Sequence, residues 1–272
     1  MAIQTSGTIL KNLRLKSSYY LMEIDCPSIA NETRPGQFLM FQTSQETCPL
    51  LRRPFSIYKS YPTSHPDRKK RGHLFLLYKI VGKGTERMAR IRKGDRVNLI
   101  GPLGNGFTLP PLSSKAPILI IGGGVGMASL SSLKGALRFK NLNVFIGAKT
   151  KDDLLCEEDF KVKKSNHIFI ATEDGSRGRR GTVVDLLRDE IKRFNKNQLH
   201  YVYLCGPEGM LRSASKLLSS KVWNVQLSLE ARMGCGFGAC WGCVVRTKDI
   251  KMPYHRVCRD GPIFLLSEIM WE

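Results

Sequence analysis

Cys235, Cys240, Cys243 and Cys258 make up half of the chain's eight cysteines and fall in its last 38 residues, spaced C-x4-C-x2-C-x14-C. Four thiolates in a tight triplet with a distant fourth suit a [2Fe–2S] cluster. The stretch Gly234-Cys235-Gly236-Phe237-Gly238-Ala239-Cys240-Trp241-Gly242-Cys243 is rich in glycine. Glycine lets a loop adopt φ > 0 and approach the irons closely. N–H groups exposed by such a loop can point at sulfur and tune its potential. On this reading the chain moves single electrons. Structural zinc, which also takes four cysteines but usually as two short-spaced pairs, is the competing reading. A disulfide framework suits small chains in an oxidising compartment, and Met1-Ala2-Ile3-Gln4-Thr5-Ser6 shows no basic–apolar–small secretion pattern. Cys26, Cys48 and Cys156 stand alone and are expected to be ordinary buried cysteines.

A second group of residues suits a pyrophosphate. Gly122-Gly123-Gly124-Val125-Gly126 sits between a strand-like and a helix-like pattern, where backbone N–H groups can approach phosphate at the positive end of a helix. Met127 occupies the last position of an otherwise G-x-G-x-x-G run, and Gly147-Ala148-Lys149-Thr150-Lys151 stands where an acidic residue would grip a ribose 2′-hydroxyl. NAD and NADP both stay open, and a glycine-rich structural turn is the plainer alternative. Cys205-Gly206-Pro207 follows a later apolar run, at the strand edge where doubly wound sheets bind ligands. A buried cysteine before a Gly-Pro turn is its plainer alternative.

The elements that must position these groups fall into three parts. Residues 1–109 read as all-β: Tyr20–Ile24, Gln37–Phe41, Arg53–Tyr58, Leu74–Val81 and Asp95–Ile100 are short strand-like runs between turn signals. Their closure into an antiparallel barrel would remove sheet edges. Residues 60–73 are polar and read as a surface loop. After a proline-rich junction, residues 110–225 alternate β and α patterns: the strands start at Ile118, Asn143, His167 and Tyr201. Helices follow with Met127, Leu130, Leu133 and Leu137 on one face, with Thr182 and Asp185 at capping-box spacing, and over 208–221. This implies a doubly wound parallel sheet. Residues 226–272 form the cysteine module.

At 42% hydrophobic residues the 272-residue chain can build a core, and no apolar stretch is long enough for a membrane span. The net charge of +20 raises a zinc-stabilised nucleic-acid-binding reading. The basic runs Arg68–Arg71, Lys161 with Lys163-Lys164, and Arg177 with Arg179-Arg180 are short and poor in aromatics, so they are expected to be solvated loop tips rather than a nucleic-acid surface.

Arg53-Pro54-Phe55-Ser56-Ile57-Tyr58 resembles the Arg-Pro-x-Ser flavin motif of the ferredoxin–NADP reductase superfamily, and Leu77-Tyr78-Lys79 with Gly84-Thr85 resembles its second flavin segment. The stretch from Gly94 to Phe107 is similar to the end of its flavin barrel, and Gly122–Gly126 with Cys205-Gly206-Pro207 is similar to its nicotinamide domain. The tail from Glu230 to Pro262 resembles one subgroup, the electron-transfer subunits of dihydroorotate dehydrogenase B, although Trp241 replaces the smaller apolar residue expected there. The resemblance implies FAD on Arg53, Pro54, Phe55, Ser56, Leu77, Tyr78, Lys79, Gly84 and Thr85. It implies NAD, as substrate, on Gly122, Gly123, Gly124, Val125, Gly126, Gly206 and Pro207. Arg53 would neutralise flavin phosphate charge. Ser56 would bond the isoalloxazine edge near N5, and Cys205 would help position hydride transfer without acting as a nucleophile. The implied enzyme is a cytoplasmic heterotetramer, in which an FMN-containing catalytic subunit oxidises dihydroorotate and electrons pass through the cluster and FAD to NAD+. A flavin and iron–sulfur subunit serving ferredoxin or sulfide is the nearest alternative.

Overall fold

The computed structural model describes residues 2–16, 18–44, 46, 48–137, 141–161, 166–219 and 222–271. Its N-terminal part is an antiparallel sheet of β1 (Ile3–Lys16), β2 (Tyr19–Asp25), β3 (Phe38–Phe41), β4 (Arg53–Ser56), β5 (Lys59–Tyr61), β6 (His73–Lys79) and β7 (Arg96–Leu103). The order is β4-β3-β7-β1-β2-β6-β5, and the short helices α1 (Pro27–Ala30) and α2 (Lys83–Ala89) lie in its connections.

The sheet curls because its two outer strands are neighbours in sequence. β4 pairs with β3 at one edge, and β5 pairs with β6 at the other. Between them the Tyr58 N–H donates to the Phe75 carbonyl of β6 at 2.9 Å. Residues 53–61 therefore join the two edges and leave neither open. The polar stretch 60–73, expected as a surface loop, accordingly begins inside β5. On β6, Leu74, Leu76 and Tyr78 fill the barrel with Ile9, Met22 and Phe41, while Leu77 faces out onto Ala128 and Leu155 of the second unit.

The second unit is a sheet of β8 (Ile118–Gly123), β9 (Leu142–Ala148), β10 (His167–Thr172), β11 (Arg179–Arg180), β12 (Tyr201–Cys205) and β13 (Asn224–Ser228), all parallel, in the order β11-β10-β9-β8-β12-β13. Its helices are α3 (Met127–Ser131), α4 (Leu133–Ala136), α5 (Glu157–Lys161), α6 (Val183–Glu190) and α7 (Glu208–Leu218). Ile118 and Ile120 of β8 pack with Met127, Leu130 and Leu133 on one face. Leu119 and Ile121 pack with Leu187 of α6 and Leu211 of α7 on the other. Both faces are covered, which explains the uninterrupted apolar run. The helix expected after the glycines is broken into α3 and α4, yet Met127, Leu130, Leu133 and Leu137 share one buried face. Thr182 caps α6 as its spacing predicts: Oγ1 accepts the Asp185 N–H at 3.2 Å and Asp185 Oδ2 accepts the Thr182 N–H at 3.1 Å. Hydrogen bonds from Thr182, then from Arg188, bring the Asp185 carboxyl down to about 2.

After β13 the chain leaves the sheet, forms a hairpin of β14 (Val244–Arg246) and β15 (Tyr254–Arg256), and returns as β16 (Ile263–Leu265), antiparallel to β13. β13 itself runs across residue 225. The parallel sheet thus gains an antiparallel edge strand from the cysteine module.

Two aspartates of the second unit fasten it to the barrel. Asp159 Oδ2 accepts the buried Tyr58 hydroxyl at 2.6 Å, and its Oδ1 meets Lys59 Nζ at 2.6 Å. Asp153 Oδ1 accepts the Tyr19 hydroxyl at 2.7 Å, with Lys79 Nζ 3.6 Å away. The Tyr19 hydrogen bond leads the contacts that hold the Asp153 carboxyl below its ordinary range. This contact is therefore fully present above that range and is lost as pH falls through the lowered value. A hydroxyl bonded to a buried carboxylate contributes about 1.5–3 kcal/mol, so Tyr58→Phe should lower the denaturant midpoint of unfolding by that equivalent at neutral pH.

Cys26 is buried as expected, but Cys48 is exposed and Cys156 is partly exposed. Cys48 lies in a loop outside both cores. Arg177 pairs with Glu157 and Arg179 with Asp189. Lys163 and Lys164 lie outside the described residues. Among the described residues no helix is long and apolar enough to cross a membrane.

Candidate redox site

A cleft of about 300 Å³ opens where the barrel, the parallel sheet and the tail meet. The barrel wall carries Pro54, Phe55 and Ser56 of β4, Leu77, Tyr78 and Lys79 of β6, and Thr85 of α2. The opposite wall carries Val125 and Gly126, with Ser228 and Glu230 after them. Most of the residues expected around a flavin thus converge on one space. Arg53 and Gly84 stand beside it and touch each other: a Cβ on Gly84 would lie 3.4 Å from Arg53 Cγ and Nε.

Three of these side chains are engaged elsewhere. The Tyr78 ring packs inside the barrel, stacked on Tyr20 at 5.5 Å, with its hydroxyl on Asn12 at 3.0 Å. Tyr78 therefore offers the cleft its main chain. Thr85 Oγ1 donates to the Gly82 carbonyl at 2.9 Å and accepts the Val81 N–H at 2.9 Å, so this hydroxyl shapes the turn before α2 instead of reaching outward. Lys79 Nζ donates to Tyr19 at 3.2 Å and serves the junction between the units.

β8 and β12 are adjacent, and the strands that follow them lie on opposite sides. Their C-terminal ends therefore flank the topological switch point, where open α/β sheets bind ligands. Gly122–Gly126 and Cys205–Pro207 occupy those two ends and interlock. A Cβ on Gly126 would sit 2.8 Å from the Cys205 carbonyl carbon and oxygen and from Gly206 Cα. Gly124 has φ +54°, and nothing lies within 4 Å of its missing Cβ. Gly126 is thus required by packing, whereas Gly124 leaves an open crest of backbone.

The register sets Gly122, Cys205 and Ser228 side by side on three strands. Burial, then the charge of Glu230, pushes the Cys205 thiol up to about 12. It stays protonated at neutral pH, unlike a nucleophilic cysteine. Glu230 lines the cleft, and partial desolvation there raises its carboxyl. Sequence reasoning places Glu230 only within the tail motif. The signal for it is its position two residues beyond the C-terminal end of a parallel strand.

The four tail cysteines gather as two pairs. Cys235 Sγ accepts the N–H of Ala239 at 3.3 Å and of Cys240 at 3.4 Å. Burial pushes its thiol up, but these N–H groups, with that of Phe237 and the Cys240 thiol, more than offset it and bring it down to about 6. On the other side Cys243 Sγ accepts the Cys258 N–H at 3.4 Å. Burial and contact with Cys243 push the Cys258 thiol up to about 12. Among the described residues no three ligating side chains converge as a single ion requires. Two pairs are what a two-iron cluster needs, two thiolates for each iron, and N–H groups already face sulfur. The donor set therefore fits [2Fe–2S] better than one tetrahedral zinc. The cleft fits a flavin on similar grounds: apolar walls for a planar ring, a hydroxyl at Ser56, and a cation at Arg53 for phosphate.

Residues 230–270 match the family model described as the iron-sulfur cluster binding domain of dihydroorotate dehydrogenase B, and residues 120–216 match an oxidoreductase NAD-binding domain. The chain is 39% identical to a dihydroorotate dehydrogenase B (NAD(+)) electron transfer subunit of Desulforamulus reducens, over 93% of each chain. It is 37% identical to the Geobacillus kaustophilus subunit of that name, over 87% of each. A solved NADH-dependent reduced ferredoxin–NADP oxidoreductase aligns over 97% of this chain and 90% of its own, with a TM-score of 0.81 and 26% identity. A ferredoxin–NADP+ reductase from Neisseria gonorrhoeae, solved with FAD and NADP, shares the fold over 83% of this chain and 99% of its own, with a TM-score of 0.67 and 16% identity.

Proposed function

Because the chain belongs to the family of dihydroorotate dehydrogenase B (NAD(+)) electron transfer subunits, we propose that it is the NAD-linked half of that oxidoreductase and acts in pyrimidine biosynthesis. The observation that carries this reading is a cleft walled by β4 and β6 on one side and by Val125, Gly126 and Ser228–Met233, which lead into the cysteine loop, on the other. When bound, FAD supplies the exchange between hydride, from or to a nicotinamide, and the single electrons that a [2Fe–2S] cluster handles.

The chain's own residues position that chemistry. β4 and β6 would hold the flavin, Ser56 offering it a hydroxyl and Arg53, beside the cleft, a cation for its phosphate charge. Gly122–Gly126 and Gly206-Pro207 hold the dinucleotide at the switch point, and the buried Cys205 supports the nicotinamide side. Glu230 places a carboxyl on the wall of the cleft. The cluster sits on Cys235, Cys240, Cys243 and Cys258. The functional divisions fall at 1–109, 110–225 and 226–272.

The partner is a catalytic dihydroorotate dehydrogenase subunit, and we place two copies of each chain in a cytoplasmic heterotetramer. Phe237, Trp241, Met252 and Tyr254 are each about half exposed around the cysteine loop and give that partner an apolar surface to cover. Co-expression with the FMN-containing subunit should yield a complex that reduces NAD+ when given dihydroorotate. A protein holding flavin and iron that neither joins that subunit nor responds to dihydroorotate would defeat the assignment. Reduction of ferredoxin in its place would favour the second reading, which the likeness to the ferredoxin-linked oxidoreductase supports.

A further inference from the structure

Arg256 on β15 reaches every segment that carries a cluster cysteine. One guanidinium nitrogen, Nη1, donates to the Gly238 carbonyl at 3.0 Å, between Cys235 and Cys240. Its Cζ lies 4.4 Å from the Trp241 ring centroid, between Cys240 and Cys243. Nε and Nη2 meet Asp260 at 3.1 and 3.3 Å, and the Arg256 N–H also donates to Asp260 at 2.8 Å, just past Cys258. Across the hairpin Arg256 pairs with Val244, which follows Cys243. Trp241 is held at φ +57°, a left-handed conformation that a residue with a Cβ adopts at a cost. Half of the indole's surface is exposed, and the Arg256 cation lies over its ring.

We propose that Arg256, paired with Asp260, is the positioning residue of the cluster module: it braces the Cys235–Cys243 loop against the Cys258 turn and, through the balance of the pair's two charges, sets the cluster's reduction potential. The physical basis is direct. A cluster gains negative charge on reduction, so a nearby cation favours the reduced form and a nearby carboxylate opposes it. Each half of the pair offsets the other. Removing either one exposes the cluster to the survivor, and the two removals shift the potential in opposite directions.

This deepens the proposed function and rests on the cluster assignment, so the unaltered complex is first shown to carry the cluster by its visible absorbance and reduced-state electron paramagnetic resonance. Absence of that signal would sink the assignment itself. In cluster-bearing variants of the complex, redox titration followed by the same resonance then tests the pair. Arg256→Gln should move the midpoint negative, and Asp260→Asn should move it positive. Arg256→Lys keeps the charge but loses the planar fork and the stacked face. It should hold the midpoint near the unaltered value while the cluster bleaches faster in air. Midpoints that stay put in Arg256→Gln and Asp260→Asn, or that move the same way, would overturn the proposal. If Arg256→Gln keeps no cluster, the sign for Asp260→Asn and the unmoved midpoint of Arg256→Lys still decide it.

Discussion

Cys240→Ala should leave a yellow protein with no brown component: flavin at the unaltered level, iron near zero, and NAD+ reduction from dihydroorotate lost. The size of the effect follows from the site. Outer partners of a metal site are each worth about 10–100-fold in metal affinity, and removing a ligand exceeds that. Cys240 is exposed, so the substitution leaves no cavity in the core and the fold should persist. Reduction of the flavin by NADH should survive, because the walls of the cleft are built from β4, β6, the Gly122–Gly126 loop and residues 228–233, and not from Cys240. The measurement is a visible spectrum with iron and flavin counts, followed by both assays on one preparation. If dihydroorotate still drove NAD+ reduction at the unaltered rate, the cysteine loop would have no part in the electron path.

Gly126→Ala should have the opposite profile. Its φ of −58° suits any residue, so the effect comes from contact alone. The new methyl meets three main-chain atoms of Cys205 and Gly206 at 2.8 Å, and a backbone cannot swing aside as a side-chain tip can. One of the two interlocked loops has to shift. A displacement of about 1 Å near reacting groups can cost on the order of 10²-fold in rate. The specificity constant for NADH should therefore fall about a hundredfold with flavin and iron retained. Gly209→Ala, one turn away in α7 with nothing near its missing Cβ, is the control. It should leave kinetics unchanged and stabilise the helix by roughly 0.5–1 kcal/mol. Equal kinetics for the two alanine variants would mean the interlocked loops do not hold the nicotinamide.

Much of this arrangement is legible before any coordinates. The cysteine spacing, the glycine loop after an apolar run, and the Cys-Gly-Pro turn depend on local chemistry, and short spacings record local chemistry well. The doubly buried strands are legible for the same reason, since Ile118–Ile121 has no polar face to offer water. What escapes is fixed by distant partners. β1 is the longest strand, but Lys11, Asn12 and Arg14 interrupt its apolar pattern, and only pairing with β2 and β7 reveals it. β5 is hidden in a polar stretch because its neighbour β6 supplies the reason for it to be extended. Tyr78 and Thr85 line the cleft, yet their side chains are committed elsewhere by Asn12 and Gly82. No linear spacing shows such commitments.

The return of Ile263–Leu265 to the edge of β13 has a consequence for how electrons travel. The cysteine-bearing segment is stitched to the same sheet at both ends, so its metal cargo does not ride on a swinging arm. The rate of electron transfer between flavin and cluster should accordingly not change with solvent viscosity.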